Sequence, residues 1–206
     1  GAVDVVVENA DGATATLAHG FVYDAPTPST VAVPGTVFDL DVIGDLVLVA
    51  TGAAGVAVVD IGGAPSAVIV DADHDGIDDR IVARWSVDGF DARAVVVAPG
   101  RGGDVAFVGG VKDGRGVVAE LDIGHADTGV VAVKRFTDIG GDGIVGFDIG
   151  DENDDNRLLV AAGSAGLVSL DVADRAFEVA RTGAGVSEVV VDGDRGIALV
   201  GGDLVA

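Results

Sequence analysis

Cysteine is absent from the 206 residues, which excludes disulfides, thiolate metal sites and cysteine nucleophiles together. Methionine is absent as well. A chain with no initiator that opens at Gly1 inside the strand-like run VDVVVEN is expected to be a processed product or a piece of something longer. Basic residues number 12 against 34 acidic ones, giving a formal charge of −22. Such a surface repels nucleic acid phosphates and anionic lipid, so neither is an expected partner. No apolar run approaches the length of a membrane span, so no membrane insertion is expected within these residues, and no signal peptide is visible.

What is present is mostly small and aliphatic. Hydrophobic residues make up 49% of the chain, chiefly Val, Ala, Leu and Ile, with 33 glycines and only 4% aromatics. That composition suits many short strands joined by tight turns better than long helices, and the fold class expected is all-β. The acids are nearly all Asp. Its short carboxylate bonds nearby backbone amides in turns, and it is also a compact oxygen ligand for hard cations. A solvated acidic surface, of the kind adapted to high salt, and cation binding are the two readings of this excess.

The first 25 residues differ from the rest. Two β-patterned runs surround the turn Asn9-Ala10-Asp11-Gly12 in VDVVVENADGATATLAHGFVYDAP, which reads as a β-hairpin over 1–25. A linker over 26–35 follows, in which Pro26, Pro28 and Pro34 keep the chain extended. The hairpin pattern, covering residues 3 to 23, resembles the C-terminal hairpin of an IPT/TIG domain, the immunoglobulin-like module of large bacterial surface proteins. The first half of such a domain is missing, and a lone hairpin is marginal in water.

From residue 36 to 206 the chain repeats. FDLDVIGDLVLVATGAAGVAVVDIGGAP from Phe38 parallels FDIGDENDDNRLLVAAGSAGLVSLDVAD from Phe147, and the stretch from Asp91 to His125 carries the same plan with longer turns. Anchors fall at Val49 and Val160, each opening V-A-x-G, and at Val108 and Val200, each opening V-G-G, setting repeats over about 36–89, 90–143, 144–185 and a truncated 186–206. Outer strands fit at Ile81–Val87 and Val130–Phe136, and the last copy ends before a third strand is expected. Four strands per repeat is the plan of a propeller blade. Residues Gly44 to Ile61 resemble the LVIVD repeat, which implies a β-propeller-like array of four-stranded antiparallel blades in a surface protein. About three and a half repeats make an incomplete ring, closed by further blades, closed between subunits, or left as stacked sheets. A β-sandwich is the rival architecture. Open edges invite association with itself or with other surface proteins.

Residues 71–79, DADHDGIDD, carry the sharpest signal. Asp71, Asp73, Asp75, the carbonyl of Ile77 and Asp79 occupy the first, third, fifth, seventh and ninth positions of a calcium loop of EF-hand type, with Gly76 at the turn. Val82 stands where that loop has its bidentate Glu, and no helical pattern flanks it, so it looks more like the calcium loops of thrombospondin type 3 or related Asp-rich inserts. Calcium is the expected ion, since carboxylates crowded into one loop repel unless neutralised. The alternative is an acidic turn that binds nothing tightly. In this reading Asp78 points outward and His74 faces solvent. A weaker cluster offers Asp151, Asn153 and Asp155 without the glycine, and Asp138 and Asp142 read as turn formers.

Catalytic signals are poor. His19, His74 and His125 lie in separate segments without HExxH spacing, and neither Lys112 nor Lys134 follows a glycine, which excludes a Walker A loop. Ser164 in AGSAG reads as a hairpin residue. Trp85 and Phe90 read as packing at a blade edge, with sugar binding by an exposed Trp as the alternative. The expected function is a structural or adhesive, calcium-stabilised segment of a large extracellular or cell-surface prokaryotic protein, with no catalytic residues. The competing classes are a propeller-type hydrolase or lyase, with Asp39, Asp41 and Asp148 as candidate acids, and a glycan-binding module.

Overall fold

The computed structural model describes residues 2–8, 14–22, 30–63, 70–98, 104–149, 157–171, 180–182, 185–192, 195–200 and 203–205. Its contacts divide the chain into two units. One is built on an antiparallel hairpin of β1 (Ala2–Glu8) and β2 (Thr14–Val22), with Ala2 opposite Val22 and Glu8 opposite Thr14. The turn expected at residues 9–12 and the prolines at 26 and 28 lie outside the described residues.

The other unit holds four antiparallel sheets, and in each the spatial order of strands follows the chain. The first contains β3 (Asp39–Ile43), β4 (Leu46–Ala50), β5 (Val56–Asp60) and β6 (Ile81–Trp85). The second contains β7 (Phe90–Val97), β8 (Val105–Lys112), β9 (Arg115–His125) and β10 (Val130–Asp138). The third contains β11 (Gly146–Ile149), β12 (Arg157–Ala161), β13 (Leu167–Asp171) and β14 (Ala180–Thr182). The fourth contains β15 (Val186–Asp192), β16 (Arg195–Val200) and β17 (Asp203–Val205). Local chemistry explains the meanders. Asp113 and Gly114 both take positive φ, 52° and 78°, which matches the twist of a two-residue hairpin between β8 and β9.

The second and third sheets pack a neighbouring sheet on each face, and their central strands are accordingly apolar on both sides. Leu48, Val58 and Trp85 of the first sheet meet Val95, Val108 and Leu121 of the second in one cluster. Phe107 and Val118, on the second sheet's other face, meet Leu158, Val160 and Leu170 of the third. Ala161 and Leu167 in turn meet Val186, Val189 and Ala198 of the fourth. Each fully buried Leu or Val contributes about 1.5–3 kcal/mol relative to exposure. Four sheets stacked in series through three interfaces, each a chain-ordered meander, make a β-propeller-like array and not a two-sheet sandwich.

The repeat anchors find their physical meaning here. Val49, Val108, Val160 and Val200 all lie in the second strand of their sheets. After the first anchor, Gly52 turns with φ 67° and exchanges two backbone bonds of 2.9 Å with Ala92, tying the first sheet to the start of β7. Gly163 forms an antiparallel bridge to Val186, and Gly185 N–H donates to Gly163 O at 3.1 Å. One expectation is corrected. The fourth copy does carry a third strand, because Asp203–Val205 pair with Val200, Leu199 and Ala198.

Candidate metal centre

The connection between β5 and β6 contains the Asp-rich loop. His74 and Gly76 both turn through left-handed φ values, 64° and 84°, and this curls the chain around its own carboxylates. One oxygen each from Asp71, Asp73 and Asp79 lies within 4.8 Å of the others, an arrangement that could hold a metal ion. Backbone amides already point at this group. Asp75 N–H donates to Asp71 Oδ1 and to Asp73 Oδ1, both at 3.1 Å, and Gly76 N–H donates to Asp71 Oδ2 at 3.2 Å. Ala72 N–H donates to Asp79 Oδ2 at 2.8 Å. A carboxylate oxygen has two lone-pair sites, so these bonds leave capacity for a cation.

Asp75 behaves differently from its neighbours. Its Oδ1 accepts from Ile77 N–H at 2.7 Å, closing a local turn, and it is not among the three converging carboxylates. Ile77 is half-buried and His74 is exposed.

Asp78 is the residue the sequence misplaces. It is 1% exposed, not turned outward. Arg80 grips it as a fork, Nε to Oδ1 at 2.8 Å and Nη2 to Oδ2 at 2.6 Å, and Arg80 N–H adds a bond of 3.1 Å to Oδ1. The side-chain bonds from Arg80 are the main reason its carboxyl is lowered from 3.8 to about 2, against the opposing effect of burial. The same pair raises the Arg80 guanidinium further. Around it, Asp79 N–H donates to Val70 O at 2.6 Å and Ile81 N–H to Asp78 O at 2.8 Å, so the two ends of the loop are pinned together. An acid two residues before an Arg, at the point where a loop re-enters a strand, was the available signal.

The acids that the sequence offers as catalytic candidates have structural partners. Asp39 Oδ1 accepts from Leu40 N–H at 2.9 Å and its Oδ2 from Val95 N–H at 2.9 Å. Asp41 does the same with Val42 N–H at 2.7 Å and Val97 N–H at 2.7 Å. β7 is the terminal strand of its sheet, so these carboxylates supply acceptors that a neighbouring strand would otherwise provide. Alternating acids in the apolar strand FDLDVI were the sequence trace of this latch. Asp148 Oδ1 accepts from Ile149 N–H at 2.8 Å in the third sheet.

Elsewhere, Asp142 Oδ1 accepts from both Ser164 N–H and Ser164 Oγ, at 2.9 and 2.8 Å, which lowers the Asp142 carboxyl and fixes the turn between β12 and β13. Trp85 is buried and meets Phe90 edge-on at 5.3 Å, with Phe136 beside both, so it offers no stacking surface to a sugar. The second acidic cluster, at 151, 153 and 155, lies outside the described residues. Among the described residues no helix is long and apolar enough to cross a membrane.

No protein-family model and no curated protein matches the chain. Among solved structures it is similar to the computationally designed Ika8 protein, at 11% identity and a TM-score of 0.54 over 81% of this chain and 47% of that one. It is also similar to KlHsv2 with loop 6CD replaced by a Gly-Ser linker, at 14% identity and a TM-score of 0.42 over 82% of this chain and 63% of that one. The chain thus spans about half the length of the first and under two thirds of the second. At this identity the first likeness concerns the fold alone.

Proposed function

We propose that the chain is a structural or adhesive, calcium-stabilised β-repeat segment of a large secreted or cell-surface prokaryotic protein, and not an enzyme. The observation that carries the reading is the convergence of Asp71, Asp73 and Asp79 in a loop between two strands of one blade. Calcium suits it because that ion takes six to eight oxygens in flexible geometry, whereas magnesium demands a near-ideal octahedron. In this reading Asp75, released from the Ile77 amide, and the Ile77 carbonyl are the further ligands that the spacing of the loop supplies. Binding energy spent there adds directly to the stability of the folded blade.

Supporting the scaffold role, both oxygens of Asp39 and of Asp41 accept backbone amides, one from their own strand and one from the next sheet, which gives each carboxylate a structural use. The resemblances to LVIVD repeats and to an IPT/TIG hairpin favour a surface protein in a calcium-rich exterior. Partners of this reading are other copies or other surface proteins meeting exposed sheet margins, with glycan a lesser candidate because Trp85 is buried.

The test is the melting temperature in millimolar calcium and in chelator, for the native chain and for an Asp73→Ala, Asp75→Ala variant. Calcium at about a hundred times its Kd adds about 2.7 kcal/mol, a rise of roughly 5–10 °C for a chain of this size. The variant should lose that rise. Equal melting in calcium and chelator for the native chain would defeat the reading.

A further inference from the structure

The acids are unevenly placed on the first two sheets. Their innermost strands run in the same direction, since Asp39 and Asp41 of β3 accept the amides of Val95 and Val97 of β7 in that order. The connections β3–β4, β5–β6, β7–β8 and β9–β10 therefore share one end of these sheets, and β4–β5, β6–β7 and β8–β9 share the other. At the latter end carboxylates have cations beside them. Asp91 pairs with Arg93 at 2.9 Å, Asp113 with Lys112 at 3.8 Å and Asp138 with Arg115 at 3.1 Å. Asp88 is the exception there, exposed and in no ion pair among the described residues.

The former end, which carries the Asp-rich loop, is different. Its ion pairs among the described residues, Arg80 with Asp78 and Lys134 with Asp122, leave Asp45, Asp104 and Asp127 exposed and outside any pair. Crowding there takes a repeated form. Asp60 Oδ1 accepts from Gly62 N–H at 2.8 Å, and a Cβ added at Gly62 would stand 3.0 Å from the Asp45 carboxyl carbon. Asp122 Oδ1 accepts from Gly124 N–H at 3.2 Å, and a Cβ added at Gly124 would stand 3.2 Å from the Asp104 carboxyl carbon. Each blade thus sets two carboxylates around one glycine, and among the described residues only the second brings a lysine to them.

Screening sets the sign of a salt effect on such a surface. At about 0.01 M the Debye length is about 30 Å and the carboxylates of one end repel across their whole span, whereas at about 1 M it is about 3 Å. Salt also weakens the ion pairs of the other end, but exposed pairs contribute little. A formal charge of −22 far exceeds the magnitude of about 2–8 that serves a small domain, and the excess works against the compact state. We propose that monovalent salt stabilises the folded chain up to molar concentrations, by screening the unpaired carboxylates at the loop-bearing end of the first two sheets. The ion atmosphere does this without a dedicated site. The effect goes beyond the calcium reading, because it belongs to acids of several connections and persists when the Asp-rich loop holds no divalent ion.

The experiment is thermal melting of the whole chain in chelator, followed by circular dichroism from about 0.05 to about 2 M potassium chloride. Tm of the native chain should rise by about 10 °C or more across that range. A variant carrying Asp45→Asn, Asp104→Asn and Asp127→Asn, all on exposed side chains, should melt about 5 °C above the native chain at low salt and meet it at high salt. The control is Asp113→Asn with Asp138→Asn, which removes acids that face Lys112 and Arg115 and should give no gain at low salt. A native Tm that stays flat or falls with salt overturns the proposal. A triple variant that keeps the full native rise also overturns it, because salt would then act on apolar burial. A control that gains as much as the triple variant would assign the effect to total charge and remove this end from it. Calcium takes no part in these measurements, so ion binding by the loop stands or falls separately.

Discussion

Two sets of aspartates in the first blade behave differently although the residue is the same. Asp39 and Asp41 sit on a strand, half-buried, and each spends its two oxygens on amides of two adjacent strands. Asp71, Asp73 and Asp79 sit in a loop, where amides of the same loop donate to them and the carboxylates converge on one another. The first set has its compensating positive character built in by the fold. The second is compensated only partially, and a hard cation would complete it. Sequence composition treats all five alike; what separates them is whether a neighbouring strand edge needs acceptors.

Substitutions can break this contrast. The largest effect is expected at the loop's base, where Asp78→Ala removes half of a buried ion pair and should cost about 3 kcal/mol, lowering Tm by roughly 6–12 °C. Unchanged melting would mean that the fork from Arg80 does not hold the loop. Next, Asp41→Ala should cost about 2 kcal/mol, since hydrogen bonds to charged acceptors are worth about 1.5–3 kcal/mol, while Asp41→Asn should keep some of it through its amide oxygen. Both losses should be the same in calcium and in chelator, and a calcium-dependent loss at Asp41 would dissolve the distinction drawn above.

Acid supplies the third test. The Asp78 carboxyl is lower in the folded chain, about 2, than its ordinary 3.8, so its contribution is complete above about pH 4 and is lost as pH falls toward 2. Urea midpoints of the native chain should therefore fall more steeply across that window than those of Asp78→Asn. The smallest effect belongs to the open loop. In chelator, Asp73→Asn should change stability by less than about 0.5 kcal/mol, because relief of like-charge crowding offsets the lost amide bond; in calcium it should forfeit the ion's gain. A clear loss in chelator would make Asp73 a latch like Asp41.

Much of the fold is legible because its signals are local. LVLVA and VAVVD announce strands by β-branched content, Asp113-Gly114 announces a hairpin, and Gly52 and Gly163 mark turns that need positive φ. The turn roles of Asp142 and Ser164 and the packing of Trp85 with Phe90 follow from the same short-range chemistry. What is not legible depends on partners distant in the chain. Asp41 and Val97 are 56 residues apart, and only the stacking of two sheets brings the carboxylate to the amide. An outward Asp78 follows from extending the spacing of a calcium loop, and that pattern has no place for an acid that leaves the ligand set to take an adjacent Arg. The short strand β17 escapes because three residues show no periodicity.

Trp85 is the single tryptophan, and its indole lies at the junction of the first and second blades, edge-on to Phe90. Intrinsic fluorescence therefore watches one seam of the array and is blind to the third and fourth blades. In stacked repeats, where each unit leans mainly on its neighbours, seams can open singly. A fluorescence transition that precedes or trails the far-ultraviolet signal would time the opening of that seam against the rest, and coincident transitions would mean that the blades melt as one body.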